Sequence, residues 1–234
     1  GNHENHELLA TLPHDPAGTA LRVYGPRAYY VPNGTIFMVN QLRWMAMGGA
    51  HSIDRHAGPM GVYWWPEEVI TGKEIWDLGM RDETERLVDV LVTHDAPYGI
   101  PAIEQRLARW DAVLDPELVR ATTGQRHLLT QALVATGAQW LFHGHHHFHH
   151  VSTIEVPDEL VDPWVDWQPP RDVSTHPVTV VGLDMNDRSL GRNVAVLLEH
   201  GTMRVGQKGR DPVTAYDWPV MWPASPDEPE GGQR

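Results

Sequence analysis

Cysteine is absent from the 234-residue chain, which excludes disulfides, thiolate zinc sites and cysteine nucleophiles together. Long apolar runs are missing too. The longest aliphatic stretch, Val194 to Leu198, falls far short of the roughly 20 residues a membrane helix needs. No basic, apolar leader opens the chain, so a cytoplasmic location is the expectation. Positive charge is scarce: 18 Lys and Arg stand against 31 Asp and Glu, a formal net charge of −13. Binders of nucleic-acid backbones or anionic membranes draw affinity from clustered Lys and Arg, so neither partner is expected. What the chain does have is histidine. There are 15, and six lie between His143 and His150.

A hydrophobic content of 41% is enough for one real core, and a single domain over 1–222 is expected. Leu8, Leu9 and Leu12 share one face of a short helix over Glu4 to Leu12, ended by Pro13. Arg27 to Pro32 and Thr35 to Gln41 read as strands around Asn33-Gly34, a tight-turn pair. Leu42 to Met47 follows as a third strand, stopped by Gly48-Gly49. Trp64 to Glu68 reads as a loop entering a helix, with both tryptophans in core or interface. Val88 to Thr93 has the nearly continuous apolar character of a strand covered on both faces. Asp115-Pro116-Glu117 supplies a cap, a first-turn proline and a first-turn carboxylate for a helix that runs to Gly137. Gln139 to His143, Val178 to Leu183 and Asn193 to Leu198 are further strands, the last two flanking a polar turn. The alternation predicts layered α/β with a mixed sheet. Five prolines between Pro157 and Pro177 mark a long loop carrying Trp164 and Trp167, either burial anchors or a stacking platform. Residues 223–234 read as a disordered acidic, Pro-rich tail.

Three segments place metal-ligand types at the chain start or just after an apolar strand: Gly1-Asn2-His3-Glu4, Thr93-His94-Asp95-Ala96-Pro97 and Gly144-His145-His146-His147. Ligands of α/β sheets bind outside the carboxyl ends of the strands. In extended backbone His145 and His147 point one way and His146 the other. Imidazoles with a carboxamide oxygen suit a borderline divalent ion such as Mn, Fe, Co, Ni or Zn. Each segment alone is a weak signal, and a lone His94 is more often a satisfied core histidine than a ligand. His143 and His149 share the ligand parity, and Asp95 is placed to orient His94 or to form a turn.

Taken in order, the segments resemble three of the five motif blocks of the calcineurin-like metallophosphoesterases. Gly48-Gly49-Ala50-His51-Ser52-Ile53-Asp54 and Trp64-Trp65-Pro66-Glu67-Glu68 resemble segments of bacterial and phage-type members, and the likeness runs from Gly1 to about Leu198. It implies a four-layer αββα sandwich of mixed sheets with a dinuclear metal centre. Asn2, His94 and His145 would ligate one ion and His147 the other, with Mn the foremost candidate. His3 would assist the leaving group of a phosphomonoester or phosphodiester attacked by a metal-activated hydroxide. The family's first two blocks, Asp-x-His and Gly-Asp-x-x-(Asp/Asn), have no counterpart here. The expectation is therefore that two strand–helix units, about 60 residues, are supplied by an upstream segment or a second chain. Two other readings stand beside the hydrolase: a catalytically incomplete metal-binding module, and an interaction protein on the same frame.

Overall fold

The computed structural model describes residues 1–17, 19, 21–25, 28–79, 87–111, 113–158 and 173–184, with strand segments at 195–197 and 203–205. Asn5 caps α1 (His6–Thr11), its side chain accepting from the Leu8 amide. β1 (Arg22–Gly25) and β2 (Ala28–Tyr30) pair antiparallel. β3 (Thr35–Val39) and β4 (Leu42–Met47) form a hairpin turned by Asn40 and Gln41, at φ 48° and 66°. Positive φ at both central residues matches the twist of the flanking strands. This corrects the expected hairpin at Asn33-Gly34. The Asn33 carboxamide is engaged elsewhere, accepting from the Gly48 amide and donating to Glu74.

A single 3-10 turn at Pro66–Glu68 leads to α2 (Gly72–Gly79). β5 (Val90–Thr93), α3 (Pro101–Asp111) and α4 (Pro116–Thr136) follow. Asp115 caps α4 by accepting from Glu117 and Leu118, and Gly137 closes it in the left-handed region at φ 61°. Then come β6 (Trp140–His143), β7 (His150–Pro157), β8 (Thr175–Gly182), β9 (Ala195–Leu197) and β10 (Met203–Val205). The sequence reading had α1, β2 to β6, α4, β8 and β9 and missed β1, α3, β7 and β10. It also placed β8 beside β9; instead β8 lies between β6 and β7, and β9 pairs with β10.

The architecture is mixed α/β. One six-stranded sheet has the order β3-β4-β5-β6-β8-β7; β4, β5, β6 and β8 run parallel, and both edge strands are antiparallel. β1-β2 and β9-β10 are separate two-stranded sheets. Strand alternation gives the large sheet two apolar faces. Met45, Leu91, Leu141 and Val180 pack against Leu129 and Leu133 of α4 and Ile75 and Leu78 of α2. Each such fully buried side chain contributes about 1.5–3 kcal/mol. The other face holds Val90, Phe142 and Val181, with Phe37, Trp44, Phe142 and Trp140 stacked in succession at centroid spacings of 6.3–6.4 Å.

The four parallel strands bring their carboxyl ends to one edge, and β7, running the other way, starts there. The candidate ligands Asn2, His94 and His145 collect along this edge. Among the described residues no helix is long and apolar enough to cross a membrane. Trp164, Trp167 and the 223–234 tail lie outside the described residues.

Candidate metal centre

β5 ends at Thr93 and delivers His94, and β6 ends at His143 and delivers His145. The two loops are joined directly, since the Gly144 amide donates to the His94 carbonyl at 3.0 Å. The His94 and His145 rings stand edge to face with centroids 5.1 Å apart. Asn2 comes to the same point from the chain start. It is 2% exposed, and its Oδ1 accepts from His94 Nε2 at 2.9 Å. Of the residues expected to hold an ion, Asn2, His94 and His145 are therefore brought together.

His147 and His3 are exposed and lie near enough to His145 for their charge to bear on it. They do not join it in a tight cluster: among the described residues no three His, Asp or Glu side chains converge to hold an ion. A three-donor set at this point needs the Asn2 carboxamide.

The alternation expected of Gly144 to His147 does not hold, because this segment is not a strand. His145 and His147 both sit in the left-handed region, at φ 59° and 48°, a conformation rare for side chains with a Cβ and frequent at functional sites. His146 does leave the His94 position, but it turns into the protein. Its Nε2 donates to Asp95 Oδ1 at 2.8 Å, and Asp95 also accepts from the Ala96 amide. Asp95 thus holds His146 and not His94. His143 and His149 are likewise engaged away from His94, on His150 and on the Gly182 carbonyl respectively.

Two hydrogen-bond systems flank the Asn2–His94 pair. On the first side Asn2 Nδ2 donates to Ser52 Oγ at 3.0 Å, and Ser52 donates through Oγ and its amide to the two oxygens of Glu68, each at 2.9 Å. Glu68, fully buried, also accepts from Arg55 Nε and a terminal Arg55 nitrogen and from the Trp65 amide. Arg55 lies 4.7 Å over the Trp64 ring, which closes this side with a cation–π contact. Gly49, at φ 102°, has no room for a side chain, since a Cβ there would run into the Glu68 carbonyl.

The second side is made of imidazoles. His143 Nδ1 lies 3.1 Å from the Gly144 carbonyl, which can only accept, so His143 carries its proton on Nδ1. His150 Nε2 then donates to His143 Nε2 at 3.0 Å, and the Ser152 hydroxyl faces His150 Nδ1 at 3.4 Å. Burial, with the neighbouring imidazole charge, lowers His143 to about 3 and His150 to about 4. Burial foremost, with nearby positive charge, lowers His94 to about 3, and it lowers His145 as well. Burial works against the Asp95 carboxylate, yet the His146 hydrogen bond and surrounding positive charge outweigh it and hold the group at about 2. At neutral pH His94, His143, His145 and His150 are therefore uncharged, the state a metal ligand requires.

The loop after His94 is pinned from α4. Arg126, 3% exposed, donates to the Ala96 and Pro97 carbonyls, pairs with Glu104 and lies over Tyr98. A cavity of about 390 Å³ opens beside His94, bounded by Glu4, His6, Tyr30 and Asn33.

The sequence reading missed Ser52, Glu68, Arg55, Arg126 and the Asp95–His146 pair as site-builders. The Gly48–Asp54 and Trp64–Glu68 segments were noticed, and they are the two ends of the Ser52–Glu68 contact; nothing local says that they meet. No family model matches the chain, and no curated protein matches it.

Proposed function

We propose that the chain is a metal-dependent phosphoesterase whose ion is held by Asn2 Oδ1, His94 Nε2 and His145. The observation that carries this reading is the 2.9 Å approach of Asn2 Oδ1 to His94 Nε2, at the carboxyl edge of the parallel strands with a neutral His145 ring alongside. One carboxamide oxygen and two uncharged imidazoles form a donor set of borderline character, suited to Mn foremost and to Fe, Co, Ni or Zn. His147, exposed beside His145, would serve a second ion. Bound divalent ions supply Lewis-acid polarisation of phosphoryl oxygens and acidify water near neutral pH.

The chain's own residues do the rest. For Nε2 to serve as a ligand, the single proton of the neutral His94 ring would sit on Nδ1 in place of Nε2, which it occupies while it is shared with Asn2. Asp95 keeps His146 out of the donor set, and Arg126 holds the loop that bears His94. His3, exposed beside the site, donates a proton to the leaving oxygen. The four-layer αββα sandwich belongs to the same proposal, with the aromatic face of the large sheet turned toward a second sheet.

A second reading, a metal-binding module without turnover, draws on the exposure of His147 and on the lack, among the described residues, of any cluster of three His or carboxylates. The two are separated by adding Mn to the full-length protein and following an aryl phosphate monoester and diester. The phosphoesterase reading expects hydrolysis that a chelator abolishes. Asn2→Ala and His94→Ala should lose the ion, and His3→Ala should keep it while turnover falls about 10²- to 10⁴-fold. One ion per chain with no turnover favours the module; no ion at all returns the chain to an interaction role.

A further inference from the structure

We propose that Ser52, backed by Glu68, is a positioning residue that decides which end of the Asn2 carboxamide faces His94. The inference rests on the metal-site reading above and adds to it the device that makes an asparagine serve as an oxygen ligand. A carboxamide has two ends of nearly equal shape, and only its oxygen binds a cation. Left to itself in a buried site, Asn2 has no steric reason to present Oδ1 rather than Nδ2.

The surrounding hydrogen bonds remove that freedom one proton at a time. Glu68 is fully buried and accepts from Arg55 twice, from the Ser52 amide and from the Trp65 amide. Paired in this way, the carboxylate is an acceptor toward Ser52. The single proton of Ser52 Oγ goes to Glu68 Oε2 at 2.9 Å. Oγ then has only lone pairs left for Asn2, so the Asn2 atom 3.0 Å away must be the donor Nδ2. Oδ1 is thereby turned toward His94 Nε2. The charge of Glu68, fixed by Arg55, thus sets the polarity of an amide two contacts away. Ser52 is itself fully buried, so water does not substitute for its hydroxyl.

The test is a cycle read by calorimetric titration of the full-length protein with Mn, with thermal melts and circular dichroism alongside. An aspartate presents oxygen at both ends, so Asn2→Asp makes orientation irrelevant. Ser52→Ala in the Asn2 protein should weaken Mn binding about 10- to 100-fold, the usual cost of losing a group that orients a ligand. In the Asn2→Asp background the same substitution should cost less than about 3-fold. Glu68→Gln offers a second route if Ser52→Ala does not fold. Its amide can donate to Ser52 Oγ and release the hydroxyl proton toward Asn2, so the same loss and the same rescue are expected. An equal loss in both backgrounds, or no loss in the Asn2 protein, overturns the inference and leaves the metal site standing. A wild-type protein that takes up no Mn overturns both.

Discussion

The two flanks of His94 hold their neighbours by opposite means. On the Asn2 side a chain of directional hydrogen bonds ends in a charge pair, Glu68 with Arg55. On the other side, beyond Asp95 and His146, orientation passes through Ser152, His150 and His143, all uncharged, each donating to the next and His143 to the Gly144 carbonyl. In the first arrangement the protons are placed by a carboxylate paired with a guanidinium. The second depends on buried histidines staying neutral. A histidine-rich site therefore need not be held in place by histidines throughout.

Removing the charged end should have the largest effect. Glu68→Ala leaves Arg55, the Ser52 amide and the Trp65 amide without their acceptor, and should cost about 3–5 kcal/mol in urea unfolding. A loss below about 1 kcal/mol would mean that the two flanks do not differ as described.

Acid should act on the other flank. His143 and His150 have folded pKa values of about 3 and 4, below the ordinary value near 6.5. Below pH 6.5 the unfolded chain binds protons that the folded one refuses. Stability is therefore full above pH 6.5 and falls as pH drops toward 4. Between pH 7.5 and 5.0 the pair should account for a loss of about 4 kcal/mol, read as midpoint shifts in urea. His150→Gln should flatten that slope. If Glu68→Ala flattened it equally, the comparison would fail.

Gly49 sits where the flanks meet. Its carbonyl faces the Asp95 amide at 3.4 Å, and its Cα abuts the Glu68 carbonyl. Gly49→Ala combines a left-handed backbone with that clash and should cost about 2 kcal/mol. It should also weaken Mn binding, since it disturbs both sides at once. The smallest effect is expected far from either flank. Asp115→Ala removes the α4 cap for about 1 kcal/mol and should leave metal affinity unchanged by titration.

How far the sequence is legible follows from how local each signal is. The start and stop of α4 were readable because Asp115, Pro116 and Gly137 act within one turn of themselves. β5 was readable because a strand buried on both faces is apolar at every position. The Asn33-Gly34 reading failed because a turn-forming asparagine was spent on Gly48 and Glu74, contacts that no local pattern reveals. α3 carried a usable sign, Pro101 followed by Ile103 and Leu107, that went unread. β7 was masked by the histidine run that opens it. In the site, Asn2, His94 and His145 could be named from motif order. Their flanks could not, because Ser52 meets Glu68, and Asp95 meets His146, only through the sheet.

The order of strands also bears on time. β3 and β4 are joined by a two-residue turn, so their hairpin can close within microseconds. β5 must instead find β4 and β6, each far from it in sequence, and β6 must find β8. Pairings of that kind pay for long loops before any contact rewards them, and mixed folds built on them form in milliseconds or longer. Asn2, His94 and His145 meet only when those partners have docked. The centre is therefore a late product of folding, and an ion added to the unfolded chain should not hasten it.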